Sequence, residues 1–116
     1  MALLFLRRAA FGSVEEAFAM VTPGFRHHNP HFQAGAEALK VAMAENAIRN
    51  QDKRLDVQRA LEDGDFVAIH SRIVLQREQA GSSVVHIFRF EGDRIAELWD
   101  VGQDVPADSP NTDGMF

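Results

Sequence analysis

The apolar residues of this chain recur with two different periods, and the change between them falls near Asn50. Before that point they recur every three or four positions, which is the spacing of one helix face. After it, apolar and polar residues alternate, which is typical of strands with one buried side. A chain that passes from helices to strands must bury one layer against the other, so the pattern predicts an α+β fold.

Three helical segments are predicted in the first half. Residues 2–11 carry apolar side chains on nearly every turn, and a short helix is expected over residues 14–20. The breaker Thr22-Pro23-Gly24 then ends that helix. An amphipathic helix is expected over residues 36–50, because apolar residues recur there at helical spacing: Ala36, Leu39, Met43 and Ala47.

The second half predicts four strands joined mostly by tight turns. The first strand places Leu55, Val57 and Leu61 on one face and ends at Asp63-Gly64, a favoured hairpin dipeptide. The others cover residues 66–75, 84–90 and 94–101, with a second tight turn at residues 91–93. Tight turns at two of the three junctions indicate an antiparallel sheet. A strongly curved sheet wrapped around the N-terminal helices would form a cone or barrel that encloses a pocket.

The length and the C-terminal end complete this outline. The 116 residues suit one domain, which we expect over residues 1–104. Residues 105–116 are polar and rich in turn-forming residues, which predicts a C-terminal tail. Since the tail ends in the apolar pair Met115-Phe116, we expect that end to dock on the domain or on a partner.

Composition argues against several functions. A net charge of −5 and a pI near 5.4 disfavour a nucleic-acid surface, which is normally basic. The absence of cysteine removes disulfides, thiolate metal sites and cysteine nucleophiles. No apolar run reaches the roughly 18–20 residues that cross a bilayer, so we expect a cytoplasmic protein that binds neither nucleic acid nor membrane. With no tyrosine, acid–base chemistry must come from carboxylates and the five histidines.

One carboxylate stands out because it lies within the last apolar strand. Asp100 follows Leu98 and Trp99 and precedes Val101. Burying a carboxylate as an ion costs several kcal/mol unless the carboxylate gains partners. Asp100 is therefore either exposed at a strand end or held at the mouth of a cavity, where desolvation would make it a stronger base.

Three histidines could assist such a carboxylate. Alternation places His86 on the same strand face as Phe88, where it is either a satisfied core residue or a pocket residue. His70 shares a face with Arg72, which indicates a partly solvated position and a weaker candidate. His28 precedes Asn29-Pro30, a turn that could aim the imidazole inward or leave it exposed.

Several motifs spread over nearly the whole chain carry a resemblance to a known family. They are His28-Asn29-Pro30, Gly35 at a helix start, the hairpin over residues 62–65, the block over residues 87–103 and the terminal residues 111–116. The block is the most specific of them, and it contains Ile87-Phe88-Arg89-Phe90, Ile95-Ala96-Glu97 and Trp99-Asp100-Val101. Together these motifs resemble the SnoaL-like polyketide cyclase family, within the nuclear transport factor 2-like superfamily.

The resemblance implies an α+β cone or barrel with a deep apolar pocket, and a homodimer formed through the outer face of the sheet. It assigns the acid/base role of an intramolecular aldol closure to Asp100. It makes His86, on the neighbouring strand, the assistant of that carboxylate, and it makes His28 a pocket-lining histidine. Such a reaction of a small apolar carbonyl compound needs a base and a donor to the enolate oxygen, so we expect no metal and no cofactor.

We expect the pocket to be walled mainly by aromatic side chains. These walls would exclude water and bind a flat ring of the substrate. The expected pocket residues are Phe18, Phe25, His70, Phe88, Phe90 and Trp99.

Other functions are compatible with the same fold. A ketosteroid isomerase is disfavoured because its tyrosine-rich oxyanion site has no counterpart in a chain without tyrosine. A limonene-type epoxide hydrolase needs two carboxylates and an arginine, and Asp100 with Arg72 or Arg89 supplies only part of that set. The main alternative is a non-catalytic small-molecule-binding or dimerisation module, because fold does not determine function. Pairing of Asp100 with a pocket histidine would favour catalysis, whereas solvent exposure or an arginine partner would favour binding.

Overall fold

Helices and strands occupy separate layers of the molecule, which confirms the α+β prediction. The computed structural model describes residues 1–116. Its helices are α1 (Ala2–Ala10), α2 (Val14–Phe18) and α3 (Ala36–Arg49). Its strands are β1 (Val21–His27), β2 (Arg54–Asp63), β3 (Phe66–Val74), β4 (Ser82–Glu91) and β5 (Arg94–Asp104). The strands form one curved sheet in the order β1-β5-β4-β3-β2, and the helices pack on its inner face.

The spacing of apolar residues explains how α1 packs on the sheet. Its buried residues are Ala2, Phe5, Leu6 and Ala9, which follow the i, i+3, i+4, i+7 pattern of one helix face. This face joins Leu39 of α3 and the inward residues of the strands in a single core. Burying one large apolar side chain contributes about 1.5–3 kcal/mol, so this face holds α1 against the sheet.

Strands β2 to β5 form the predicted antiparallel meander. The β2–β3 turn contains Gly64 and the β4–β5 turn contains Gly92, with φ values of 58° and 61°. Glycine is favoured at positive φ because a Cβ atom would clash with the backbone there. The third connection, over residues 75–81, is an irregular loop between the two hairpins.

Strand β1 is not among the predicted strands, and it contains the residues expected only to end a helix. Pro23 and Gly24 lie within β1, which is an edge strand paired in parallel with β5. An edge strand tolerates proline because the missing N–H can be on the side that faces away from the sheet. The pairing also shifts register between Val21 and Arg26, so both residues fall in the irregular part of the strand.

A bulge in β2 reverses which side chains face the helices. The register shifts between Val57 and Arg59, so Gln58 is an extra residue and the alternation is displaced by one. Leu61 consequently points away from the helices and is 67% exposed. The predicted common face of Leu55, Val57 and Leu61 is therefore wrong for Leu61.

A second bulge lies in β5. Arg89 pairs with Glu97 and Phe90 pairs with Ile95, so Ala96 is the extra residue. The displaced alternation lets both Ile95 and Leu98 join the core, although they lie three positions apart. Bulges of this kind bend a strand and increase the twist of the sheet.

The register assigns the central strand residues to two faces, since directly paired residues point to the same side of a sheet. One row joins Ile69, His86 and Asp100 on the inner face. The next row joins Ala68, Ile87 and Trp99 on the outer face. The outer face also carries exposed apolar side chains, which are Leu61, Phe66 and Val101.

The C-terminal tail lies on the outer face. Residues 105–116 contain no helix or strand, and the Val105 N–H donates a hydrogen bond to the Gly81 carbonyl at 2.9 Å. The Phe116 ring stacks on His70 with ring centroids 5.9 Å apart. The same ring lies 5.1 Å from the guanidinium carbon of Arg72. The apolar end of the tail therefore docks on the domain, as its sequence predicts.

Candidate active site

A cavity opens between the helices and the inner face of the sheet. It has a volume of about 220 Å³ and is enclosed mainly by apolar residues of α1, α3 and strands β2 to β5. An apolar cavity with a small number of polar groups is the usual form of a small-molecule site. The polar residues that line it are Asn46, Lys53, His86 and Asp100.

His86 and Asp100 face this cavity together. They are direct partners across β4 and β5, so their side chains leave the sheet side by side. Burial lowers the pKa of His86 from 6.5 to about 4, and the negative charge of Asp100 opposes this shift only in part. The imidazole is therefore neutral near pH 7 and offers one N–H donor and one nitrogen acceptor.

The Nδ1 atom of His86 is buried and has no hydrogen-bond partner in the protein. A buried polar atom without a partner costs roughly 1–3 kcal/mol, so folded proteins rarely keep one without a reason. His86 is one of the residues that line the cavity. An unsatisfied group at a cavity wall is what a site for a polar ligand atom provides.

Asp100 is held by the turn that follows β1. The Asn29 side-chain N–H donates a hydrogen bond to Oδ2 of Asp100 at 2.9 Å. The Asn29 Oδ1 accepts a hydrogen bond from the His31 N–H at 2.9 Å, which fixes the asparagine. Pro30, between them, restricts the backbone of the turn. The sequence leaves open whether the turn at residues 28–30 aims His28 inward or leaves it exposed; in the structure His28 is exposed, and the turn presents Asn29 to Asp100.

The prediction that His28 lines the pocket is wrong. Its Nε2 lies 2.5 Å from Oε2 of Glu97, and its ring stacks on Trp99 with centroids 4.9 Å apart. Glu97 and Trp99 point to the outer face, whereas Leu98, which lies between them in β5, points to the inner face. His28 follows the end of β1, where the chain crosses to that face. It therefore cannot act on the same substrate atom as Asp100.

The predictions for His70 and Trp99 are wrong for a related reason. Both side chains belong to the outer face, because they are displaced by one residue from Ile69 and Asp100. His70 Nε2 lies 2.8 Å from the Ser83 hydroxyl oxygen, and its other ring nitrogen contacts Arg59. His70 is thus satisfied on the surface, beneath the C-terminal tail.

The predicted phenylalanine walls fill the core and do not line the cavity. Phe5 packs edge-to-face against Phe18 and Phe88, with ring centroids 5.4 and 5.7 Å apart. Phe25 continues this stack from Phe18 at 6.1 Å. Phe90 borders a different depression, an open one near the N-terminus and the β2–β3 turn. The cavity walls are mainly aliphatic, with Leu39, Met43, Leu55 and Ile73 among them.

Lys53 is a cavity residue that the sequence alone does not indicate. It directly precedes β2, and its Nζ donates a hydrogen bond to the Ala10 carbonyl at 2.9 Å. Burial lowers the pKa of Lys53 below its usual value. No short-range motif marks this lysine, because α1 and α3 enclose it only in the folded chain.

The arrangement lacks the groups that an epoxide hydrolase of the limonene type requires. Asp100 is the only carboxylate that lines the cavity, and no arginine lines it. Arg72 donates to the Ala80 carbonyl, and Arg89 binds the carboxylates of Glu91 and Glu97.

No group of three histidine, aspartate or glutamate side chains is placed to hold a metal ion. No helix is both long enough and apolar enough to cross a bilayer.

Solved structures share this architecture. An NTF2-like protein of Cytophaga hutchinsonii is 16% identical, with a TM-score of 0.71 over 88% of this chain and 86% of that chain. A candidate polyketide cyclase of Sinorhizobium meliloti is 11% identical, with a TM-score of 0.70 over 84% and 89% of the two chains. A candidate ketosteroid isomerase of Kribbella flavida is 17% identical, with a TM-score of 0.72 over 95% and 80%. At these identities the likeness shows the fold alone.

Comparison with sequence families gives a closer assignment. No curated protein matches the chain in sequence. The model of the SnoaL-like domain matches residues 4–98, which include both the helical layer and the strands that carry His86 and most of the cavity wall. The chain therefore belongs to the SnoaL-like domain family.

Proposed function

We propose that this protein is a cofactor-independent acid–base enzyme that acts on a small carbonyl compound in the cavity. The observation that carries the proposal is the placement of Asp100 beside a neutral, unsatisfied His86, its direct cross-strand neighbour, at the cavity wall. Asp100 would be the base that removes a proton from the carbon beside the carbonyl group. His86 would donate a hydrogen bond to the carbonyl oxygen as it becomes an enolate oxygen.

The proposed reaction needs no reactant besides the substrate, because the proton that Asp100 removes later returns to the substrate. Transfer of the α-proton to Asp100 leaves its electron pair on the substrate as an enolate. The enolate carbon then attacks a second carbonyl carbon, and the new alkoxide takes the proton back from Asp100. This sequence is an aldol closure; return of the proton to a different carbon would be an isomerisation. A neutral imidazole suits the donor role, because it stabilises developing charge without first giving up its proton.

The neighbouring groups support these roles. Asn29 occupies one oxygen of Asp100 and so sets the direction of the other. The aliphatic walls exclude water, which strengthens the interaction of the imidazole with a developing negative charge. Asn29 is a positioning residue in this scheme, since it acts on the substrate only through Asp100.

The cavity volume limits the size of the substrate. Pockets for drug-sized ligands usually measure about 300–1,000 Å³. The volume of about 220 Å³ falls below that range. We therefore expect a compound of one ring or a short chain, and not a polyketide of several fused rings.

Proton exchange tests the proposal without knowledge of the natural substrate. Monocyclic ketones and β-keto esters are incubated with the protein in D2O, and loss of the α-proton signal is followed by NMR. Asp100→Asn should slow the protein-dependent exchange by about 10²–10⁴-fold, which is the usual contribution of a general base. Asp93→Asn is the matched control, since Asp93 is exposed in the β4–β5 turn. Equal exchange by the wild type and Asp100→Asn would refute the assignment of the base.

A non-catalytic binding module is the second candidate. It is favoured by the hydrogen bond from Asn29 to Asp100, which satisfies part of the carboxylate from within the protein. The same experiment separates the two functions. Chemical-shift changes at cavity residues on addition of a ketone, without exchange of its α-protons, would indicate a binder.

We also propose a homodimer formed through the outer face of the sheet. Support comes from the exposed apolar side chains on that face, among which Leu61 and Val101 are each 67% exposed and Phe66 is 43% exposed. A contiguous apolar patch on a surface usually marks an interaction site. The inner-face cavity lies on the opposite side of the sheet, so this dimer would leave the cavity residues within one protomer.

A further inference from the structure

The two lysines of the chain have different surroundings. Lys40 forms an ion pair with Glu15, with Nζ and Oε1 2.7 Å apart. Lys53 takes part in none of the ion pairs of the molecule. Its one hydrogen bond goes to a main-chain carbonyl, although an ammonium group has three N–H donors. Lys53 is therefore a half-buried cation without a negative partner, and it lines the cavity.

One feature of the position of Lys53, its contact with a helix end, acts against the effect of burial on its charge. The carbonyl that it binds belongs to Ala10, the last residue of α1. The C-terminal end of a helix carries a partial negative charge that stabilises a nearby cation. Burial lowers the pKa of this lysine. The negative end of the helix and a bound anion would each raise that pKa, because both stabilise the charged ammonium group.

The charged groups of the cavity come from different parts of the sheet. Asp100 is on β5, whereas Lys53 directly precedes β2, and two strands separate β5 from β2 in the sheet. Asn46 of α3 lines the same cavity. A negative group on a ligand would be repelled by Asp100 and attracted by Lys53, so it would point toward β2. The reacting carbon of the same ligand would then be left beside Asp100 and His86.

We propose that the cavity binds small carbonyl compounds that carry a carboxylate group, with Lys53 as the residue that binds the carboxylate. The carbonyl end of the ligand, beside Asp100 and His86, rests on the proposed function. The subsite for the carboxylate depends only on Lys53. Lys53 has free N–H donors and no competing carboxylate. The apolar walls between β2 and β5 bind the body of the ligand, and the charge sets its orientation.

The test uses benzoate and its neutral analogue benzamide as probes, with binding followed by amide chemical shifts of the full chain. Benzoate should shift cavity residues and bind more tightly than benzamide. Lys53→Met should weaken benzoate binding by about tenfold or more, the loss expected for one charge-assisted hydrogen bond, and leave benzamide unchanged. Lys53→Arg should keep the preference, and Lys40→Met is the matched control, since Lys40 pairs with Glu15.

The outcomes separate this inference from the proposed reaction. Asp100→Asn should keep or strengthen benzoate binding, because it removes a negative charge from the same cavity. Loss of the exchange activity with an intact benzoate site would refute the catalytic role alone. Equal affinity of the wild type for the two probes, or an unchanged preference in Lys53→Met, would overturn the carboxylate subsite.

Discussion

The two faces of the sheet carry two polar clusters that differ in how completely they are paired. On the outer face, Glu97 is bound by Arg26, His28 and Arg89, at 3.3, 2.5 and 3.1 Å. On the inner face, His86 has a buried nitrogen without a partner. Asp100 has one side-chain donor there, from Asn29. Strands β4 and β5 contribute to both clusters, with Arg89 and Glu97 in the outer one and His86 and Asp100 in the inner one.

This difference indicates what each cluster does. A buried carboxylate with several cations contributes to the folded state and leaves no capacity for a ligand. A histidine that is kept neutral and unsatisfied lowers stability, and folded proteins keep such groups mainly at functional sites. The paired cluster therefore has a structural role, and the unpaired one is where we place the chemistry.

The largest expected effect on stability is the pH dependence that His86 introduces. Its pKa falls from 6.5 in the unfolded chain to about 4 in the folded one. His86 therefore gains a proton below pH 6.5 in the unfolded state, but only near pH 4 in the folded state. Because protonation favours the unfolded state between these values, the free energy of unfolding falls as the pH drops from 6.5 to about 4. The shift corresponds to a loss of roughly 3 kcal/mol.

Urea denaturation between pH 7 and pH 4 measures this slope. His86→Leu should flatten it, because the variant has no group that titrates at this position. His31→Leu should leave it as in the wild type, since His31 is exposed. A slope that survives in His86→Leu would show that the inner face is not the pH-sensitive one.

The next effect concerns the outer face as a site of association. Val101→Lys places a charge on the exposed apolar surface and should weaken the proposed dimer by about tenfold or more, as expected when a charge is desolvated. Sedimentation equilibrium across a concentration series measures the change. Ile48→Lys is the control, since Ile48 is 71% exposed on α3, away from the sheet. A wild type that stays monomeric at high concentration would remove this face as an interface.

The smallest effect tests the paired cluster. Glu97→Gln keeps one acceptor oxygen but loses the charge that Arg26, His28 and Arg89 share, so we expect Tm to fall by a few degrees at pH 7. The hydrogen bond from His28 lowers the pKa of Glu97 from 4.5, and the arginines act in the same direction. The stabilising contribution of the Glu97 carboxylate is therefore complete above pH 4.5. It is lost as the pH falls through the lower pKa that Glu97 has in the folded state.

Thermal unfolding of Glu97→Gln at several pH values checks this expectation. The difference in Tm from the wild type should shrink in acid, where the wild-type carboxylate is also protonated. Proton exchange on the substrate should be unaffected, because Glu97 faces away from the cavity. A loss of exchange in this variant would contradict the separation of the two faces.

Much of the fold was predictable because it depends on local chemistry. The apolar spacing of residues 2–11 and 36–50 and the turns at Gly64 and Gly92 each act over a few positions, and each prediction is confirmed. The exceptions depend on pairing between distant segments. Strand β1 forms because β5 accepts it as a parallel edge strand, and the face of Leu61 is set by a bulge opposite β3.

The candidate site was predictable only in part, for the same reason. Alternation places His86 and Phe88 on one face, but it does not say which face meets the helices when both are apolar. Trp99, Ile87 and Val101 make the outer face as apolar as the inner one, so alternation alone places His70 and Trp99 on the wrong side. Neither Asn29 nor Lys53 belongs to a strand, and only the folded chain brings them to Asp100 and to the cavity.

The proline in β1 has a consequence for how copies of this molecule can meet. A sheet that ends in an unpaired strand can template another strand from a second chain, which leads to open-ended growth. Pro23 has no N–H to offer along that border, and the irregular pairing around Gly24 breaks the repeat that a new strand would have to match. Lengthening of the sheet from the β1 side is thereby disfavoured, so a strand from a second copy has no regular row of backbone donors and acceptors to join at that edge.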